Sequence, residues 1–264
     1  FAYDVPYQLR QVVTGAYSTH HPLLHTLALG GLLQLGRALG DINLGAALYT
    51  ALQMALLAGC FALTCGSIAR QSGARAAKRA TVFFALYPLN MVMAVNATKD
   101  VLFGGFFALT LALLNEIREK PSRGLALKIA ACGALAVMLR NNMAYAALVW
   151  LALLTLGLRK AEKSAALAML LALAVGLCGN AALKRATRAE SGDMSEMLSW
   201  PIQQLARARL YDEERLTDAE KEAIDELMPG EAWACYDPTI SDPVKFEFDT
   251  QAFRADVKKY VGVW

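Results

Sequence analysis

Among its 264 residues the chain has only three histidines and five cysteines. The cysteines form no CxxC pair, and Cys60, Cys65, Cys132 and Cys178 lie in apolar stretches. That excludes a disulfide framework and argues against a structural zinc site. Charge is also scarce: 19% of residues are Asp, Glu, Lys or Arg, and the formal balance is +3. A balance so small points to no nucleic-acid partner. Internal repeats and low-complexity tracts are lacking beyond an Ala and Leu bias. What charge exists is unevenly placed. Fifteen basic and six acidic residues precede Lys184, a balance of +9, whereas Lys184 to Trp264 holds 11 basic and 17 acidic residues, a balance of −6. An apolar, basic part therefore precedes a polar, acidic one.

The charge-free runs set the class. Leu44 to Ala69, Ala80 to Thr98, Asn141 to Leu158 and Ser164 to Leu183 contain no ionised residue, and Val101 to Asn115 and Ile129 to Leu139 are shorter clean stretches. A helix crosses the hydrocarbon layer in about 20 residues. Lipid offers the backbone no hydrogen bonds, and Ala and Leu richness favours helices over a barrel. The reading is an all-α, polytopic helical membrane protein with about six spans in 44–183.

Basic loop residues mark the cytoplasmic side. Arg70, Arg75, Lys78 and Arg79 follow the first run. Arg118, Lys120, Arg123 and Lys128 surround the turn after the third, and Arg159, Lys160 and Lys163 follow the fifth. These are alternate loops, as an up-and-down path requires. The pattern predicts a multi-pass cell-membrane protein with residues 1–43, the turns at 96–100 and 140–142, and residues 184–264 on the outer side.

Residues 1–43 read as an extracytoplasmic loop with an interfacial helix over Pro22 to Leu39. Gly40-Asp41-Ile42-Asn43 then supplies a turn and cap. Residues 184–264 read as a small, mainly helical extracytoplasmic domain. Pro201 suits a helix start, Thr217-Asp218-Ala219-Glu220 a capping box, and Pro229-Gly230 a helix stop. Asp237-Pro238 and Asp242-Pro243 suggest turns, and alternating Val244, Phe246 and Phe248 a short strand or extended loop. Phe1, without a basic leader, and the aromatic, basic end Val257 to Trp264 read as parts of a longer chain with further spans on both sides.

Three polar clusters meet the predicted outer face: Asp4 with Tyr3 and Tyr7, Thr98-Lys99-Asp100, and Arg140-Asn141-Asn142. Ionisable groups near lipid are costly, so a polar cavity lined by Asp4, Asp100 and Arg140 is the default expectation. Each residue also has a structural reading. Asp4 and Asp100 could cap helices, Lys99 could snorkel, and Arg140 could mark topology. His21 and His25 have the spacing of a helical metal pair, but Pro22 interrupts it. His20 and His21 suit interfacial packing or phosphate hydrogen bonds better. Gly30, Gly31, Gly104 and Gly105 suit close helix packing.

The segments Asp4-Val5-Pro6-Tyr7, His20-His21-Pro22-Leu23-Leu24-His25-Thr26 and Thr98-Lys99-Asp100-Val101-Leu102-Phe103 resemble a family of uncharacterised bacterial multi-pass proteins. Ser199-Trp200-Pro201-Ile202-Gln203-Gln204-Leu205-Ala206-Arg207 extends that resemblance. The family is similar in turn to GT-C glycosyltransferases, which use polyprenyl-phosphate sugars and include protein mannosyltransferases and the aminoarabinose transferase acting on lipid A.

The resemblance implies a GT-C-like fold and transfer of a sugar from a polyprenyl-phosphate donor to a glycan, lipid or protein acceptor among membrane lipids. Asp4 becomes the candidate base that takes the acceptor proton. Lys99 and Arg140 would stabilise the departing phosphate, and Asp100 would orient the acceptor or hold Lys99. Tyr7, His20, His21 and Asn141 complete the expected substrate-binding set. A divalent metal is compatible with the family, but Val5 and Pro6 stand where many GT-C enzymes place a second acid after the first. A transporter or lipid flippase is the alternative; the Pro88 and Asn90 break would suit it but has no counterpart in another half.

Overall fold

The computed structural model describes residues 4–156 and 160–264, and the chain divides into two compact units, one ending at Glu190 and the other starting at Ser191. Every regular element among the described residues is helical. Lys184, the expected boundary, falls inside a helix that runs to Thr187.

The first unit opens with α1 (Val5–Thr14) and α2 (Leu23–Ala38), followed by the long α3 (Ile42–Ser72). Asp41 caps α3, its carboxylate accepting from the Asn43 amide at 2.8 Å. Gly73, at φ +84°, ends α3 in a conformation that L side chains rarely adopt, and α4 (Ala74–Leu86) begins there. Pro88 then splits the expected second run into α4 and α5 (Pro88–Ala94), because proline lacks the amide that an unbroken helix needs. The remainder is α6 (Lys99–Glu119), α7 (Arg123–Leu139), α8 (Met143–Leu156) and α9 (Lys160–Thr187). Thr98 caps α6, and Ser122 caps α7 through the Leu125 amide.

Among the described residues three helices are long and apolar enough to cross a membrane: Ile42–Ser72, Lys99–Glu119 and Lys163–Thr187. They contain three of the six expected runs. The others lie in shorter helices: α4 with α5, the 17-residue α7, and the 14-residue α8. Within the span-length windows 56% of α6 is buried but only 22% of α3. So α6 is central, packed on α3, α7 and α9, while α3 exposes Leu48, Leu52, Met54, Leu56 and Leu63. An apolar face of that length is compatible with lipid and costly in water.

The core of this unit joins Leu109, Leu113 and Ile117 of α6 to Ile129, Ala136 and Val137 of α7 and Ala168, Met169 and Ala172 of α9. Small residues let α7 and α9 approach. A Cβ added to Gly133 would lie 2.8 Å from that of Ala172, and one on Gly176 would lie 2.7 Å from that of Val137. Of the four glycines expected to serve packing, Gly30 meets Val12 and Gly105 meets Leu57 and Cys60, whereas Gly31 and Gly104 face open space.

Away from the α6 N-terminus, a second polar knot joins α3 to α6. Arg70 grips Glu116 with two hydrogen bonds, of 2.5 and 2.8 Å, and Ser67 donates to the same carboxylate at 2.6 Å. Arg70, read from sequence as a loop cation, is thus part of α3 and paired. Arg159, from the third basic loop, lies outside the described residues.

In the second unit, α10 (Ser199–Tyr211) and α11 (Asp218–Leu227) pack through Ile202, Leu205, Ala206, Ile224 and Leu227. The expected capping box is present: Thr217 and Glu220 satisfy each other's backbone amides. α11 stops before Pro229, as expected. The segment predicted as strand or extended loop is instead α12 (Asp242–Phe246), followed by α13 (Thr250–Ala255) and α14 (Val257–Val263). Pro243 in the first turn favours this helix, and Lys245 is buried between Glu196 at 2.8 Å and Asp242 at 2.7 Å. The alternation of Val244, Phe246 and Phe248 loses to that start signal and ion pairing. All five cysteines are free.

Gly36 and Gly45 mark the tightest crossing of α2 and α3: a Cβ on Gly36 would lie 2.3 Å from the Gly45 backbone nitrogen. Backbone cannot yield as a flexible side chain can. Gly36→Ala is expected to destabilise the unit by about 1–3 kcal/mol, whereas Gly31→Ala should be neutral or mildly stabilising. Thermal unfolding of both variants in detergent checks this contrast, and equal shifts would contradict the crossing.

Candidate functional site

The site forms around the start of α6. Thr98 accepts from the Asp100 amide and so starts the helix, placing Lys99 and Asp100 in its first turn. An acidic group in a first turn complements the helix dipole. Yet both side chains turn to partners on other elements. Lys99 forms an ion pair and hydrogen bond with Asp4, and Asp100 pairs with Arg140 at 2.5 Å.

Asp4 stands at the N-cap position of α1 but makes no side-chain cap bond. The capping reading is therefore not realised. Pro6 starts α1 without needing a free amide, and the carboxylate is left to Lys99. The His21 Nδ1 lies 3.8 Å from the same carboxylate oxygen. Burial works to raise the Asp4 pKa, but the hydrogen bond and charge of Lys99, followed by the charges of His21 and His20, hold it below its ordinary value.

The Arg140 guanidinium lies 5.4 Å from the centre of the Phe103 ring, so this cation is stacked as well as paired. Its neighbour Asn141 donates to the Thr19 carbonyl at 3.2 Å. His20 meets His21 edge to face at 4.5 Å, and the exposed Tyr7 ring lies 6.5 Å from His21. These contacts close a circuit: Asp4 to Lys99, along the chain to Asp100, across to Arg140, on to Asn141, across to Thr19, and through His20 and His21 back to Asp4. All eight expected site residues, Asp4, Tyr7, His20, His21, Lys99, Asp100, Arg140 and Asn141, thus belong to one neighbourhood. Tyr3, named with them from sequence, lies outside the described residues. The segment after α9 joins the same region: Glu190 bridges Ser18, its carbonyl accepting from the Thr19 amide and its amide donating to the Tyr17 carbonyl, each at 2.9 Å.

Beneath the circuit runs a buried polar chain that sequence reasoning missed. Gln8, His25, Tyr49 and Gln53 are each at most 2% exposed. The Gln8 amide donates to His25 Nδ1 at 2.9 Å and to Thr26 Oγ1 at 3.1 Å. Because Nδ1 accepts, His25 Nε2 carries the proton and donates to Tyr49 Oη at 2.7 Å. Tyr49 then donates to Gln53 Oε1 at 3.2 Å, and the Gln53 amide reaches the carbonyls of Ala94 and Asn96 at 2.9 and 2.8 Å. The chain ties α1, α2 and α3 to the turn that carries Lys99. Its sequence signal was polar residues inside apolar helices: Gln53 interrupts the run from Leu44 to Ala69, and His25 sits in the interfacial segment.

His21 differs from His25. Its ring is 5% exposed, and its Nε2 is buried with no hydrogen-bond partner among the described residues. Burial, then the adjacent His20 charge, pushes the ring down to about 4 against the attraction of Asp4, so it is neutral at pH 7. Among the described residues no group of three His, Cys, Asp or Glu side chains is placed to hold a metal ion, and Lys99 occupies the Asp4 oxygen nearest His21. The residues present do not fit a divalent metal, and no chemistry is assigned to one.

Fold and site together define an all-helical chain with membrane-length helices and paired charges at the α6 N-terminus. Residues 11–264 match the Family of unknown function (DUF6020), and the chain belongs to that family. The match covers Lys99, Asp100 and Arg140 but begins after Asp4 and Tyr7. No curated protein and no solved structure matches the chain.

The low His21 pKa has a defined sign in stability. The unfolded ring binds its proton near pH 6.5, the folded one only near 4. The neutral ring's contribution is therefore complete above pH 6.5 and lost as pH falls toward 4. Asp4, Lys99 and His20 face it and set that window. His21→Gln is expected to flatten part of the fall in thermal stability between these pH values; an unchanged slope would contradict a buried neutral ring.

Proposed function

We propose that this chain belongs to a multi-pass membrane enzyme that moves a sugar from a polyprenyl-phosphate carrier to an acceptor hydroxyl, with a GT-C-like architecture. The observation that carries this reading is the pair of exchangeable ion pairs, Asp4 with Lys99 and Asp100 with Arg140, at the start of a membrane-length helix. An amphiphilic donor needs its phosphate bound where an apolar helix ends. Two cations held there by carboxylates can transfer to phosphate oxygens, each exchanging one anionic partner for another and freeing a carboxylate for the acceptor.

The reaction is a displacement at the anomeric carbon. The acceptor oxygen bonds to that carbon, the bond to the carrier oxygen breaks, and its electron pair leaves on the polyprenyl phosphate. Lys99 and Arg140 stabilise the leaving charge. Asp4 supplies the negative charge that draws the acceptor proton away. When Lys99 turns to the phosphate it no longer holds the Asp4 carboxyl low, so donor binding makes Asp4 a stronger proton acceptor. Tyr7, His20, His21 and Asn141 line the same neighbourhood, and Asp100, released from Arg140, orients the acceptor.

In this reading α3, α4 with α5, α6, α7, α8 and α9 are the six spans. The basic stretches 75–79, 118–128 and 159–163 face the cytoplasm, and residues 184–264 are extracytoplasmic. The Pro88 break between α4 and α5 is the feature that favours a transporter or lipid flippase instead.

In a reconstituted full-length protein, Asp4→Asn is expected to bind a polyprenyl-phosphate sugar but lose turnover by about 100-fold or more. Lys99→Ala should weaken donor binding too, since the ground-state phosphate is already anionic. Turnover by Asp4→Asn at the wild-type rate would reject the role of Asp4. Coupled solute flux without sugar transfer would reject the enzyme reading. For the topology, single cysteines at positions 120 and 215 should label from opposite sides in a background without native cysteines, and labelling from one side would reject the six-span path.

A further inference from the structure

We infer that His21 is the residue that receives the acceptor hydroxyl, with Asp4 acting behind it to orient the ring, a refinement that rests on the glycosyl-transfer reading. Two of the chain's three histidines are buried, and only one of those is satisfied. His25 uses both ring nitrogens, accepting from Gln8 and donating to Tyr49. His21 has Nδ1 turned toward Asp4 at 3.8 Å and Nε2 buried with no partner among the described residues. A buried polar atom without a partner is rare because its desolvation is not compensated.

The chemistry of the unfilled position follows from the filled one. A neutral imidazole carries one proton. The carboxylate beside Nδ1 favours that nitrogen as the N–H, which leaves Nε2 a lone pair and makes it a hydrogen-bond acceptor. The complementary ligand group is a donor, and an alcohol hydroxyl, such as a sugar or lipid presents, is the donor that the transfer reaction consumes. In this refinement His21 takes the proton that would otherwise pass directly to Asp4, and Asp4, freed from Lys99 by the donor phosphate, faces Nδ1 and supports the ring. The rings near His21, those of Tyr7 and His20, belong to exposed side chains, so the histidine lies close to the surface of this unit.

The proton balance is then complete. As the acceptor oxygen bonds to the anomeric carbon, its proton passes to His21 Nε2, while the bond from that carbon to the carrier oxygen breaks and the electron pair departs on the polyprenyl phosphate. The imidazolium so formed lies beside the Asp4 carboxylate, which stabilises it. The proton returns to solvent as product leaves.

Two measurements test this, one independent of sugar transfer. With 15N-labelled histidine in the full-length protein at pH 7, His21 is expected as the neutral Nδ1–H tautomer, with a lone-pair shift at Nε2, and Asp4→Asn should shift the population toward Nε2–H. An Nε2–H tautomer in the wild type overturns the proposal even if the protein transfers sugar. In a transfer assay with a polyprenyl-phosphate hexose, His21→Gln is expected to lower kcat by about 100- to 10,000-fold while donor KM changes less than about two-fold, and to remove the acid limb of the kcat profile. A merely structural His21 would leave that limb in place, and its persistence overturns the proposal. The control Gly31→Ala, at a position that faces open space, should keep both kcat and the limb; equal losses in the two variants overturn the assignment to His21. Wild-type protein that transfers no sugar from any polyprenyl-phosphate donor, with the Nδ1–H tautomer intact, rejects the glycosyltransferase reading and the catalytic role with it, whereas the tautomer result alone rejects only the role of His21.

Discussion

The ion pair between Asp4 and Lys99 is the contact on which the rest of this end of the molecule depends. Neither group has a cheap alternative. Lys99 opens a helix of membrane length, and Asp4 opens α1, where its backbone is already helical and its side chain caps nothing. Pairing them brings α1 against the start of α6. It also leaves Asp100, the next residue along, to meet Arg140 from the α7–α8 turn. Two pairs on consecutive residues thus fix three separate segments by charge, and Asn141 and His21 close the circuit with the loop before α2.

Charge pairing at a half-exposed site is too weak to hold that geometry unaided. The buried chain from Gln8 through His25 and Tyr49 to Gln53 provides the stiffness. Each member is satisfied by the next, and the last amide holds two carbonyls just before Thr98. Fully satisfied polar networks rigidify because breaking any one bond strands a buried group. The Gly36–Gly45 crossing then sets how closely α2 and α3 approach, and with it the alignment of His25 and Tyr49.

The two buried histidines of this region differ in how their ring nitrogens are satisfied. His25 belongs to the scaffold, with both nitrogens used. His21, only four residues away, has one nitrogen near a carboxylate and one without a partner among the described residues. His21 thus bears a desolvation that His25 offsets with two hydrogen bonds.

The sequence by itself determined the all-helical class, the long charge-free segments, the caps at Asp41 and Thr217, and the residues that meet at the α6 N-terminus. Each follows from local rules: lipid-length apolarity, side-chain oxygens at helix starts, and the cost of charge beside apolar helices. Sequence left open whether Asp4 would cap α1, and it suggested extended structure at Val244 to Phe248. Tertiary structure decided both. Lys99 drew Asp4 away from its own helix, and the pairing of Lys245 with Glu196 and Asp242 settled a helical turn. Only the fold joined Gln8, His25, Tyr49 and Gln53, because hydrogen-bond partners up to 24 residues apart, on three different helices, have no periodicity to read. Local sequence sets which groups need a partner, and three-dimensional packing decides which partner each one gets.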